Sequence, residues 1–118
     1  MGGTLDMLRS PLDFRAVQSD GRSRVSPLLV MRYRRNGLEL TRYGISTGRR
    51  LGSAVVRNTL RRRLRTVLRS LAGRVAQGWD ILLVVRPPAA TATQAELGLA
   101  LERLLLAAGL MEGRGTST

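Results

Sequence analysis

Chemistry in this chain concentrates in one basic stretch: Arg49, Arg50, Arg57, Arg61, Arg62, Arg65 and Arg69, with Asn58 among them. Guanidinium groups at i and i+4 are neighbours on a helix, and like charges so placed each cost a few tenths of a kcal/mol. The same forks form charge-assisted, bidentate hydrogen bonds with phosphate oxygens. The spacing therefore predicts a helix that an anionic partner relieves. No Asp or Glu occurs between Thr41 and Gln77, whereas a merely solvated helix mixes signs.

Other chemistries lack their residues. The chain has no histidine and no cysteine, which removes the commonest general base, the Ser-His-Asp triad, imidazole- or thiolate-held zinc and any disulfide. Its 8 carboxylates are scattered, while 20 basic residues give a net charge of +12. All the basic residues are arginine, from demand for guanidinium forks or from codon usage. The expected partner is a polyanion.

The basic stretch needs a scaffold, and 118 residues with 43% apolar content suffice for one domain. Counting about 100° per residue from Val56, the set Val56, Leu60, Leu64, Val67, Leu68 and Leu71 falls within roughly 0–120°. Asn58, Arg61, Arg62, Arg65 and Arg69 gather at roughly 140–240°, with Arg57 at the border. Ser53 is the expected cap, and the pattern runs to about Val75. One face is built for a core and the opposite one for an anion.

Around this helix the sequence predicts a first helix from Pro11 to Ser19, capped by Ser10. Residues 28–34 and 38–46 read as strands of a hairpin turning at Asn36-Gly37, which pairs Tyr33 with Leu40 and Arg32 with Thr41. Residues 79–87 read as a strand buried on both faces, ended by Pro87-Pro88. A last helix fits residues 93–110, with Leu97, Leu101, Leu104, Leu105 and Ala108 inward. The order α-β-β-α-β-α predicts an α+β fold, a small two-layer sandwich of helices on one sheet. Residues 1–9 are expected to be flexible, 10–110 to form a single domain, and 111–118 to be a disordered tail.

The longest apolar run, at 81–85, is far short of the roughly 20 residues that span a bilayer. No signal-peptide core precedes the domain, so a reducing cytoplasm is the expected compartment. A membrane-surface helix would bury its apolar face in lipid, but here that face has a sheet to cover. Nucleic acid is the favoured partner, and the residues alone leave DNA and RNA open.

The stretch YGISTGRRLGSAVVRNTLRRRLR resembles the bacterial ribonuclease P protein component, whose signature is a Gly-Asn/Ser-Ala-Val-x-Arg-Asn turn into a basic helix. Asp13-Phe14, the two strands, the apolar strand ending at Arg86-Pro87 and the apolar last helix extend the resemblance over most of the chain. It implies a ribosomal protein S5 domain 2-like fold with a left-handed βαβ crossover, against the usual right hand. It also implies an accessory subunit: a catalytic RNA with Mg2+ bound mainly on the RNA removes the 5′ leader of precursor tRNA, with no catalytic residue on the protein and no DNA or membrane partner.

Carried over by position, Arg57, Asn58, Arg61, Arg62, Arg65 and Arg69, helped by Arg49 and Arg50, are the expected contacts to the catalytic RNA. Phe14, Tyr33 and Arg86 are the expected leader-binding cleft, where an aromatic face stacks on bases without reading sequence. Phe14 and Tyr33 have a competing reading as core residues. Three positions depart from the family pattern: Thr59 replaces the third residue of its Arg-Asn-Arg signature, and Gln18 and Arg32 stand where aromatic residues are usual. The alternative function is a general RNA-binding or ribosomal-type protein outside any catalytic complex, and a DNA-binding basic protein is a third.

Overall fold

The computed structural model describes residues 5–112. Its elements are α1 (Pro11–Asp20), β1 (Arg22–Val25), β2 (Leu29–Arg35), β3 (Arg42–Thr47), α2 (Ala54–Leu71), β4 (Trp79–Val85) and α3 (Gln94–Ala107). The α-β-β-α-β-α order stands, with the short strand β1 added after α1.

The helix termini follow local chemistry. The hydroxyl of Ser10 accepts from the Leu12 amide with Pro11 opening α1, and that of Ser53 accepts from the Val56 amide. Thr93 and Glu96 form a reciprocal capping box at α3. Such caps satisfy amides that have no partner in the first turn, each worth about 1 kcal/mol. Gly52, just ahead of Ser53, has φ of 121°, a left-handed value that disfavours any side chain.

The four strands lie in the order β1-β2-β4-β3. β1 and β2 are antiparallel, β2 and β4 antiparallel, and β3 and β4 parallel. The hairpin predicted at Asn36-Gly37 therefore does not form, because β4 lies between the two strands. β4 is buried along most of its length, and a strand apolar on both faces belongs at the centre of a covered sheet. Asn36 instead ends β2: its amide donates to Gly78 O, and its side chain holds the Leu38 amide and Leu40 carbonyl. The hairpin that does form joins β1 to β2, with Ser26 Oγ receiving the Leu28 and Leu29 amides. β3, α2 and β4 make the parallel βαβ unit, the connection to which the resemblance assigns a left hand.

Cross-strand partners share a face. Leu29, Met31 and Tyr33 of β2, Ile81, Leu83 and Val85 of β4, and Tyr43 and Ile45 of β3 line the face that α2 and α3 cover. The inner stripe of α2 (Leu60, Leu64, Val67, Leu68, Leu71) and that of α3 (Leu97, Leu101, Leu104, Leu105) complete this core. On the opposite sheet face α1 packs through Val17 and Phe14 against Leu8, Leu82 and Val84. Sheet and helices α2 and α3 are the two layers, with α1 laid across the sheet's other side.

The expectation of a flexible 1–9 is corrected over residues 5–9. Leu8 N donates to Tyr43 O, and Tyr43 N donates to Asp6 O, so this segment extends the sheet beyond β3. The free edge of β3 and a buried Leu8 account for it. Of the predicted tail, Met111 is buried and bridges Val75, while 113–118, like 1–4, lie outside the described residues.

Candidate nucleic-acid interface

α2 presents its basic residues as the helical phase requires. Arg49, Arg50, Asn58, Arg62, Arg65 and Arg69 are exposed, and Arg57 and Arg61 are half-buried at the edge of the packed stripe. Arg49 and Arg50 lie in a 3-10 turn, Arg49–Leu51, whose Leu51 is buried and anchors the turn to the core. That turn precedes the N-terminus of α2, so the positive end of the helix dipole adds to the guanidinium field there. Arg61 Nη1 reaches Asn58 Oδ1 at 3.5 Å, and Arg57 Nε is buried without a hydrogen-bond partner.

Among the described residues, ion pairs engage only Arg42 and Arg74, so no carboxylate offsets the arginines of α2. The predicted members thus come together on one uncompensated surface. Arg63, at the inner edge of the helix, instead donates to Ala92 O at 2.8 Å and ties α2 to the segment before α3. Thr59 is half-buried and outside the basic face.

The second predicted site divides. Phe14, on α1, rests its ring over Gly44 of β3, where a Cβ would lie 2.7 Å from Phe14 Cε1. Next to it the sheet carries one same-face row, Val25, Val30, Val84 and Ser46, that α1 covers only in part, at Val84. Val25 is 62% exposed, and the other three are half-buried. Arg86 closes the far side of this strip, where its Nη1 donates to Ser26 O at 2.8 Å. The result is a shallow apolar floor with an aromatic ring on one border and a guanidinium on the other.

Tyr33 does not belong to this strip. Its register opposite Ile81 puts it on the other sheet face, where it is 5% exposed and packs on Trp79 with ring centroids 5.8 Å apart. This corrects its expected role as a leader contact: period-two alternation aims it at the α2 and α3 core. The aromatic position lost at Arg32 is used structurally, since that guanidinium donates to the carbonyls of Val17 and Gln18 at the C-terminal end of α1. A cation at that helix end is favourable. Gln18 itself is exposed.

Two features escaped the sequence reading. The valines of the strip look like ordinary strand residues until β1 is recognised and the register fixed. Asp80, 2% exposed, is gripped by Arg42, whose Nε and Nη2 donate to its two oxygens at 2.9 and 2.8 Å. Asn36 Nδ2 adds a bond of 3.0 Å, and Arg42 Nη1 also lies 3.3 Å from Asp13. This neighbourhood raises the Arg42 pKa, chiefly through its hydrogen bond to Asp80.

Fold and surface together define a small basic α+β protein with an uncompensated basic helix and a separate, mainly apolar strip. The family model for ribonuclease P matches residues 4–109, and the chain belongs to the ribonuclease P protein component family. The ribonuclease P protein component of Roseiflexus castenholzii is 37% identical over 112 residues, covering 94% of this chain and 92% of that protein. That of Herpetosiphon aurantiacus is 37% identical over 107 residues, covering 91% and 87%. The fold is similar to the Staphylococcus aureus RNase P protein, with a TM-score of 0.84 and 25% identity over 92% of this chain and all of that one, covered at 100%. It is also similar to the Thermotoga maritima RNase P protein, with a TM-score of 0.80 and 28% identity over 92% of this chain and 99% of that one.

Proposed function

We propose that the chain is the RNA-binding protein subunit of a ribonucleoprotein endonuclease that removes the 5′ leader from precursor tRNA. The observation that carries this reading is the basic face of α2, bare of acidic partners, in a chain of this family. Arg49, Arg50, Arg57, Arg61, Arg62, Arg65 and Arg69 contact phosphates of the catalytic RNA, and Asn58 accepts or donates between them. Each contact releases condensed counterions, which drives binding and screens the repulsion between two RNA molecules brought together.

The strip between Phe14 and Arg86 receives the single-stranded leader. Three valine side chains and one ring give bases a mainly apolar surface on which Ser46 is the one polar side chain of the row, while Arg86 meets the backbone. The two sites lie on different faces of the sheet, so catalytic RNA and substrate bind without competing.

The reaction in this proposal belongs to the RNA, with Mg2+ held mainly there. Among the described residues no three Asp or Glu cluster in a way that could hold a metal ion. The protein's contribution is position: it holds the leader beside the scissile bond. The test is reconstitution at low Mg2+ with the cognate catalytic RNA and a leader-labelled precursor. Leader release should rise with added protein, and no stimulation would leave the general RNA-binding alternative standing.

A further inference from the structure

Arg42 lies outside every motif read from the sequence, yet its guanidinium is the most firmly held in the described structure. Two of its nitrogens clamp both oxygens of Asp80, which is buried in β4 and held also by Asn36. The fork is thereby fixed relative to the sheet. Its remaining nitrogen, Nη1, points at Asp13 in the first turn of α1, 3.3 Å away.

The next residue after Asp13 is Phe14, and two residues after Arg42 on the same sheet face is Gly44. Consecutive residues of α1 therefore grip alternate residues of β3, one by an ion pair and one by a ring on a bare Cα. This matters because Val17 is the one α1 side chain that is fully buried. A helix with so little buried surface is poorly fixed in rotation, and one residue of slip turns it by about 100°. That turn would lift the Phe14 ring off the border of the strip.

We propose that Arg42 is a positioning residue: through Asp13 it sets the rotation of α1, and with it the seat of Phe14 beside the leader. The proposal rests on the reading of the strip as the leader's binding site. Asp13 is 34% exposed, so its ion pair with Arg42 adds little to global stability. Its effect should be on the substrate.

The experiment is a double-mutant cycle in the reconstituted ribonucleoprotein, reading the affinity for precursor tRNA with its leader and for leaderless tRNA. Asp13→Ala should weaken the precursor by about threefold to tenfold, a range expected for contacting residues. Leaderless tRNA, the catalytic RNA and the melting temperature should be nearly unaffected. In a Phe14→Ala background the same substitution should add nothing. Arg42→Lys, which keeps the charge beside Asp80 but loses the fork, should reproduce the leader-specific loss. Effects of Asp13 and Phe14 that simply add, or an Asp13→Ala protein indistinguishable from wild type while Phe14→Ala is impaired, would overturn the positioning role alone. A Phe14→Ala protein with unchanged leader affinity would overturn the leader site as well.

Discussion

Asp80 is tolerated in the interior because Arg42 and Asn36 take up both of its oxygens. Removing the carboxylate in Asp80→Ala leaves the Arg42 fork and the Asn36 amide without their shared acceptor, and a loss of about 3 kcal/mol is expected in denaturant unfolding. Tyr43 gives a second test at this scale. Burial, aided by Asp6, pushes its phenol from 10.0 up to about 12. The folded state therefore holds the proton more tightly than the unfolded chain, so the stability it contributes is complete below pH 10. That contribution is lost as the pH climbs towards about 12. Tyr43→Phe should flatten the stability curve across that interval in alkaline unfolding experiments. None of this was legible in the sequence: Arg42 and Asp80 are 38 positions apart, and no local pattern announces such a pair. The resemblance singled out Phe14 and Arg86, which border the valine strip, whereas of the two readings of Tyr33 the core one holds, because its face depends on a register that the sequence left open.

At the scale of elements, α2 was the most legible, because helical phase separates its leucines from its arginines without any tertiary knowledge. That separation makes opposite predictions for adjacent residues. Leu64→Ala should cost about 2–5 kcal/mol by transfer loss and cavity formation. Arg65→Ala should leave stability within about half a kcal/mol, since removing one like charge from the face relieves repulsion. RNA affinity should show the reverse order in filter binding of the folded proteins. The strands were less legible. Asn36-Gly37 is a strong hairpin signal locally, but β4 needed a neighbour on each side, and the burial demand of an apolar strand outweighed the turn. β1, four exposed residues long, carried too little hydrophobic pattern to be seen. Its absence from the reading hid the valine strip.

For the whole molecule the dominant fact is a charge of +12 on 118 residues. Self-repulsion works against the compact state, and any anion that binds the folded surface better than the unfolded chain stabilises it. Sulfate should raise the melting temperature above that in chloride of equal ionic strength, by about 4–8 °C for each kcal/mol of stabilisation. Equal melting temperatures in the two salts would mean that the arginines do not form a folded anion site. Class, element order and basic face followed from composition and periodicity, while strand order and the placement of α1 on the opposite sheet face arise from long-range pairing. The central claim, that α2 meets RNA through its phosphates, is tested most directly by the salt dependence of binding to the cognate catalytic RNA. Log affinity should fall steeply with log salt, and Arg61→Ala should reduce the slope by about one. A slope unchanged by that substitution would contradict the assignment of this face.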